Sequence, residues 1–152
     1  MTSLSSIRHL IIDMDGVLWH GETALPSLVE FFAFLRRRSI RFVLATNNAS
    51  QTPDQYVAKL GRMGAAVARD EILTSAQAAA IYLGGIAPKG EPVYTIGEAG
   101  VTQALVEQGF ALSDDQAKVV VVGMDRGLTW EKLARATLNI RAGAAFIGTN
   151  PD

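Results

Sequence analysis

Two aspartates one residue apart, Asp13 and Asp15, close an apolar run and stand directly before Gly16. If that run is a strand, both side chains leave its carboxyl end on one face, because strand side chains repeat every second residue. Two carboxylates held that close repel each other unless a cation, or a proton kept by one of them, offsets the charge. An isolated Asp-x-Asp-Gly also fits a loop acid followed by a turn-initiating Asp-Gly pair. The choice falls to the elements around it.

Residues 7–12 form a short apolar run broken only by Arg8 and His9, and its length favours a buried strand over a helix. His9 lies inside that strand and is read as structural. Beyond the Asp-Gly turn, 17–21 predicts a loop or small hairpin beside the site. His20 there is a candidate substrate contact, although a plain loop histidine fits the same position. Pro26 opens a helix to about Arg38. Its wide apolar face, made of Leu28, Val29, Phe31, Phe32, Phe34 and Leu35, is expected to pack closely on a sheet. Arg36, Arg37 and Arg38 complement the negative end of the helix dipole and are expected to be solvated.

A second strand over 41–45 ends at Thr46-Asn47-Asn48-Ala49-Ser50. A strand, a crossover helix and a second strand make a right-handed parallel unit. Ligands of open parallel sheets collect outside the carboxyl ends of the strands. Asp13, Asp15, Thr46 and Asn47 are therefore expected at one crevice, where a hydroxyl and exposed backbone N–H groups suit a phosphate or another oxyanion. Taken alone, Thr-Asn-Asn is equally a plain polar turn.

Thr52-Pro53-Asp54-Gln55 reads as a capping box opening a helix that stops at Gly64, 71–73 as a short third strand, and Ser75 as the cap of a helix ending at Gly84-Gly85. Glycine and proline over 86–92 mark the best domain boundary, dividing the chain into 1–86 and 87–152. The second part predicts strands over 92–96, 118–122 and 144–147, with helices over 98–108 and from Thr129 to Gly143. Leu133, Ala136, Leu138 and Ile140 are expected on the inner face of the last helix. Gly97-Glu98-Ala99-Gly100 stands at a strand-to-helix turn but lacks both the full glycine fingerprint and a following Lys-Ser/Thr pair, which argues against a phosphate loop or a plain nucleotide binder. Asp125-Arg126 reads as a surface turn pair, or as one that reaches the crevice.

The 152 residues suffice for one ordinary domain or two small ones with a real core, at 49% hydrophobic and 19% charged residues, a globular composition. A net charge of -1 with a single short basic cluster gives no electrostatic reason to expect nucleic acid. The absence of cysteine excludes disulfides, thiolate catalysis and cysteine-ligated metal from these residues. Residues 1–6 are polar, so no signal peptide is expected, and no apolar run approaches the ~20 residues of a membrane helix. A cytoplasmic protein without a membrane partner is the expectation.

Asp13-Met14-Asp15-Gly16-Val17-Leu18-Trp19, Leu44-Ala45-Thr46-Asn47-Asn48, Gly123-Met124-Asp125-Arg126 and Phe146-Ile147-Gly148-Thr149-Asn150-Pro151-Asp152, in that order, resemble the haloacid dehalogenase superfamily, in particular its p-nitrophenylphosphatase-like branch with an inserted α/β cap. The resemblance runs along nearly the whole chain. It implies an α/β fold: part of a Rossmannoid parallel sheet over 1–86 and an incomplete α/β cap over 87–152. It further implies a phosphatase of small phosphorylated metabolites, with Asp13 as nucleophile, Asp15 as general acid and base, and Mg2+ on the Asp13 carboxylate and the Asp15 backbone carbonyl. Thr46, Asn47 and the Gly16 backbone would meet the phosphoryl oxygens, and the turn from Thr149 to Asp152, with Asn150 and Asp152, would help select the substrate.

The family pattern continues into more cap, a phosphate-contacting lysine and a Gly-Asp segment whose acid completes the magnesium site. Neither Lys59 nor Lys89 stands in a matching context for that lysine. Impaired activity, or a non-catalytic remnant with a weak anion site, is therefore expected of these residues alone. An apolar edge at 7–12, open to association with another copy, is expected with it. Ser39 occupies a helix-end position where the family usually has glycine, at a cost of under ~1 kcal/mol.

Overall fold

A computed structural model describes residues 6–151. Its first elements are β1 (His9–Asp13), β2 (Trp19–His20), β3 (Thr23–Ala24), α1 (Leu28–Arg37), β4 (Arg41–Thr46), α2 (Pro53–Arg62) and β5 (Ile72–Thr74). The predicted parallel unit is present. β1 and β4 run parallel, in register from His9 opposite Arg41 to Asp13 opposite Ala45, and β5 follows β4 in a sheet of order β1-β4-β5. The expected hairpin after the Asp-Gly turn forms as the antiparallel pair β2 and β3.

Alternation along the strands divides the sheet's two faces. Ile12, Phe42 and Leu44 are buried with Leu28, Phe32 and Leu35 of α1, the Phe32 and Phe42 rings lying 5.2 Å apart. Burial of a leucine such as Leu44 contributes roughly 1.5–3 kcal/mol. On the opposite face Ile11 is 82% exposed, and β1 is an edge strand of the described sheet. The helix is shorter and its buried face narrower than expected. Ser27 takes a left-handed φ of 65°, so the helix starts at Leu28 and not at Pro26. Leu28, Phe32 and Leu35 share one helical face, while Val29, Phe31 and Phe34 point off it and stay exposed. Of the three arginines, Arg36 is not simply solvated: its guanidinium forms a two-pronged ion pair with Glu71 and lies 4.7 Å over the Phe42 ring. That pairing holds the Glu71 carboxyl below its ordinary range.

The later elements are α3 (Ser75–Gly84), β6 (Pro92–Ile96), α4 (Ala99–Gln108), β7 (Ala111–Leu112), β8 (Val119–Val122), α5 (Trp130–Arg141) and β9 (Ala145–Gly148). They build an all-parallel sheet of order β7-β6-β8-β9. Contacts divide the chain into two compact units, one holding the residues up to Thr46 with Pro53–Leu73, the other Asn47–Thr52 with the residues from Thr74 onward. The glycine- and proline-rich stretch at 86–92 falls within the second unit, because Ala76, Ala80 and Leu83 of α3 share a core with Val101, Ala104 and Leu105 of α4. The α3 cap is Thr74, whose hydroxyl accepts the Gln77 N–H while the Gln77 side chain returns to the Thr74 N–H. Ser75, the expected cap, instead donates its hydroxyl to the Asn47 carbonyl at 2.7 Å. Thr129 caps α5 as predicted. On α5, Ala136 is buried, but Leu133, Leu138 and Ile140 are exposed; the inward face is completed by Asn139, whose side chain bonds the Ala117 N–H. Among the described residues no helix is long and apolar enough to cross a membrane.

Candidate active site

The end of β1 sorts its side chains by parity. Met14 is fully buried, and its neighbours Asp13 and Asp15 are both exposed. The chain then turns tightly. The Met14 carbonyl accepts from the N–H groups of Val17 and Leu18, and the Gly16 N–H donates to the Trp19 carbonyl at 2.8 Å. Gly16 sits at φ 82°, a left-handed conformation that glycine adopts without strain. Its N–H is engaged inside the turn, so Gly16 shapes the site through its backbone angle. Asp13 accepts the Met14 N–H on Oδ1 at 2.9 Å, which orients the carboxylate.

Asp15 has a partner that sequence reading missed. The Trp19 indole Nε1–H donates to Asp15 Oδ1 at 2.7 Å. Trp19 is fully buried, stacks on Tyr56 with ring centroids 6.3 Å apart, and carries the Lys59 ammonium 4.7 Å from its ring centroid. Lys59 is itself buried, donates to the Gly21 carbonyl at 2.8 Å and pairs with Glu22 at 3.2 Å, so its work is to hold the β2–β3 hairpin. Burial pushes the Tyr56 phenol up to about 12, the Asp15 charge adding to the effect and the Thr46 hydroxyl opposing it. The one sequence signal for this cluster was an indole within a stretch of loop character, since a buried indole N–H requires an acceptor.

Thr46 ends β4 one residue past Ala45, the register partner of Asp13, and is buried. Parallel pairing thus brings Asp13, Asp15 and Thr46 to the same end of the sheet. Asn47 follows with an exposed side chain, while Asn48 turns inward and accepts both the N–H and the hydroxyl of Ser50. His20 is exposed on the hairpin. Asn150 follows β9 in the second unit, and Asp152 lies outside the described residues.

Two weaker motifs find structural explanations. A Cβ on Gly100 would fall 2.3 Å from the Ala49 carbonyl oxygen and 2.6 Å from that of Gln51, so backbone crowding accounts for this glycine. Asp125 is nearly buried, accepts from Lys132 Nζ at 2.6 Å and from the Gly127 N–H at 2.8 Å, and is held below the ordinary carboxylate range chiefly by Lys132. Arg126 pairs with Glu98.

The sequence profile of the haloacid dehalogenase-like hydrolases matches residues 10–111, from β1 into the second parallel sheet. The chain belongs to that family. This haloacid dehalogenase-like chain is 37% identical over 150 residues to an acid sugar phosphatase of Staphylococcus saprophyticus, covering 98% of the chain and 58% of the relative. A glycerol phosphate phosphatase of Mycobacterium tuberculosis, solved in complex with magnesium, superposes with a TM-score of 0.90 at 31% identity, over 100% of this chain and 46% of that one. A 4-nitrophenylphosphatase of Thermotoga maritima gives 0.91 at 31% identity, over 97% and 56%. The chain spans under three-fifths of the length of these relatives. The exposed oxygens at the end of β1 are hard donors of the kind that hold Mg2+ with water completing the shell. Among the described residues no group of three or more acidic or histidine side chains forms a fuller metal cage.

Proposed function

We propose that this chain carries the catalytic aspartates of a magnesium-dependent phosphatase acting on a small phosphorylated metabolite. The single observation behind this is the parity at the end of β1, which turns Asp13 and Asp15 out together while Met14 anchors between them. The naming of the relatives as phosphatases supports it. Asp13 attacks phosphorus with a carboxylate oxygen, forming an aspartyl-phosphate as the bond to the leaving oxygen breaks. Asp15 gives that oxygen its proton, then removes one from the water that cleaves the aspartyl-phosphate. The Thr46 hydroxyl and Asn47 side chain orient the phosphoryl oxygens, while Gly16 sets the turn. The Asp13 carboxylate and the Asp15 carbonyl would hold Mg2+, which when bound neutralises charge on the phosphoryl group. The β7-β6-β8-β9 sheet and its helices serve as the cap, with Asn150 toward substrate selection and His20 contributing from the hairpin.

A non-catalytic module that binds an anion at the end of β4, where Thr46 and the exposed Asn47 lie, is the alternative. Release of p-nitrophenol from p-nitrophenyl phosphate, with and without Mg2+ and beside Asp13→Asn, separates the two. Slow release that requires both Mg2+ and Asp13 is expected. Release that survives Asp13→Asn overturns the phosphatase assignment, and phosphate binding without any release favours the module.

A further inference from the structure

We infer that Trp19 is a positioning residue that decides which oxygen of Asp15 carries the transferable proton. This rests on Asp15 serving as the acid and base of the proposed phosphatase. The indole Nε1–H is a donor only and has no lone pair to offer a carboxylic O–H. With Nε1 at 2.7 Å from Asp15 Oδ1, that oxygen acts as acceptor in either protonation state. The proton therefore resides on Oδ2. In the first step Oδ2–H protonates the leaving oxygen as its bond to phosphorus breaks; in the second, Oδ2 takes a proton from the attacking water as the bond from phosphorus to Asp13 breaks. Both steps balance, and neither requires the carboxyl to rotate.

The indole can serve in this way because it is packed in place. It is fully buried, Tyr56 stacks against it with planes 26° apart, and the Lys59 ammonium sits over its ring. Lys59 is fastened at its far end to the Gly21 carbonyl and Glu22. The backbone adds a second tie, since the Trp19 carbonyl accepts the Gly16 N–H at 2.8 Å. A rigid donor of this kind lets a short, exposed acid hold one geometry without a partner on the solvent side.

Two readouts test this. The first needs no turnover: the indole N–H resonances of Trp19 and the exposed Trp130 are compared in wild type and Asp15→Ala. The Trp19 signal is expected to exchange slowly with solvent and to move when Asp15 is removed, while that of Trp130 stays. An unmoved Trp19 signal overturns the inference whatever the chain catalyses. The second is the leaving-group dependence of kcat/KM, which reports formation of the aspartyl-phosphate. Trp19→Phe keeps an aromatic ring against Tyr56 and Lys59 but loses the donor. It is expected to lose roughly 10- to 100-fold more kcat/KM on an alkyl phosphate, which needs the acid, than on p-nitrophenyl phosphate, which does not. Equal losses on both substrates mean that Trp19 is merely structural. Turnover that persists in Asp13→Asn, with the indole response intact, instead faults the phosphatase assignment and leaves the Trp19–Asp15 bond standing.

Discussion

Gly100→Ala is expected to destabilise the chain although it places a better helix former at the start of α4. The added Cβ meets the Ala49 oxygen at 2.3 Å, the Gln51 oxygen at 2.6 Å and the Gln51 carbonyl carbon at 2.9 Å. Carbon–oxygen contacts relax at about 3.3–3.6 Å, so the helix or the 47–52 segment must give by about 1 Å. All three atoms belong to the backbone, and none can swing aside as a side chain would. The Gly100 N–H also donates to the Ser50 carbonyl at 3.1 Å, a bond that the same displacement strains. Overpacking of this kind costs about 1–3 kcal/mol. Helix propensity returns at most about 1 kcal/mol, and less in a first turn. The net loss should be about 1–2 kcal/mol, which at roughly 2–4 °C per kcal/mol lowers the thermal midpoint by about 2–8 °C. Gly61→Ala is the control: Gly61 lies within α2 with nothing near its Cβ, and the substitution should stabilise by about 0.5–1 kcal/mol. Urea unfolding of both variants followed by circular dichroism measures the difference. If Gly100→Ala were as stable as Gly61→Ala, α4 would not rest on the 47–52 backbone and the close approach would be wrong.

Ser39→Gly should stabilise by under ~1 kcal/mol in the same urea measurement, because Ser39 holds a φ of 52° that only glycine adopts freely. The Tyr56 phenol, raised from 10.0 to about 12, binds its proton more tightly folded than unfolded. Its contribution is therefore complete below pH 10 and is lost as pH rises toward 12, by about 2 kcal/mol at most. The stability difference between wild type and Tyr56→Phe, followed from pH 9 to 12, should fall by that amount; a flat difference would show that the phenol is not buried as described.

The parallel arrangement of Asp13 and Thr46 was legible because it depends on strand parity and connection rules, which act locally. The stop at Gly143 was legible for the same reason: it takes a left-handed angle that closes a helix. What sequence could not supply was contact at long range. The cap of α3 fell on Thr74 and not Ser75 because Ser75 finds the Asn47 carbonyl, 28 residues away. Leu138 on α5 has the helical spacing of a core residue yet is 65% exposed, while Asn139 goes inside to serve a backbone N–H of the loop before β8. The attachment of Lys59 to Trp19 and the hairpin depends on folding that no local pattern encodes. Gly100 is the sharpest case. Its strand-to-helix turn lacks the fingerprint of a phosphate loop, and the reason for the glycine, its crowding against Ala49 and Gln51, is visible only in three dimensions.

The segment 47–52 packs with the second unit although the residues on either side of it, through Thr46 and from Pro53, belong to the first. The two units are therefore interleaved along the gene. Recombination that exchanged one continuous coding stretch from Thr74 onward would set Gly100 and Ser75 against a 47–52 backbone from the other parent, whose path they were not fitted to. Exchange of the second unit between relatives has to carry this six-residue piece along, and swaps that keep 47–52 with its own α4 should yield soluble chimaeras more often than swaps that part them.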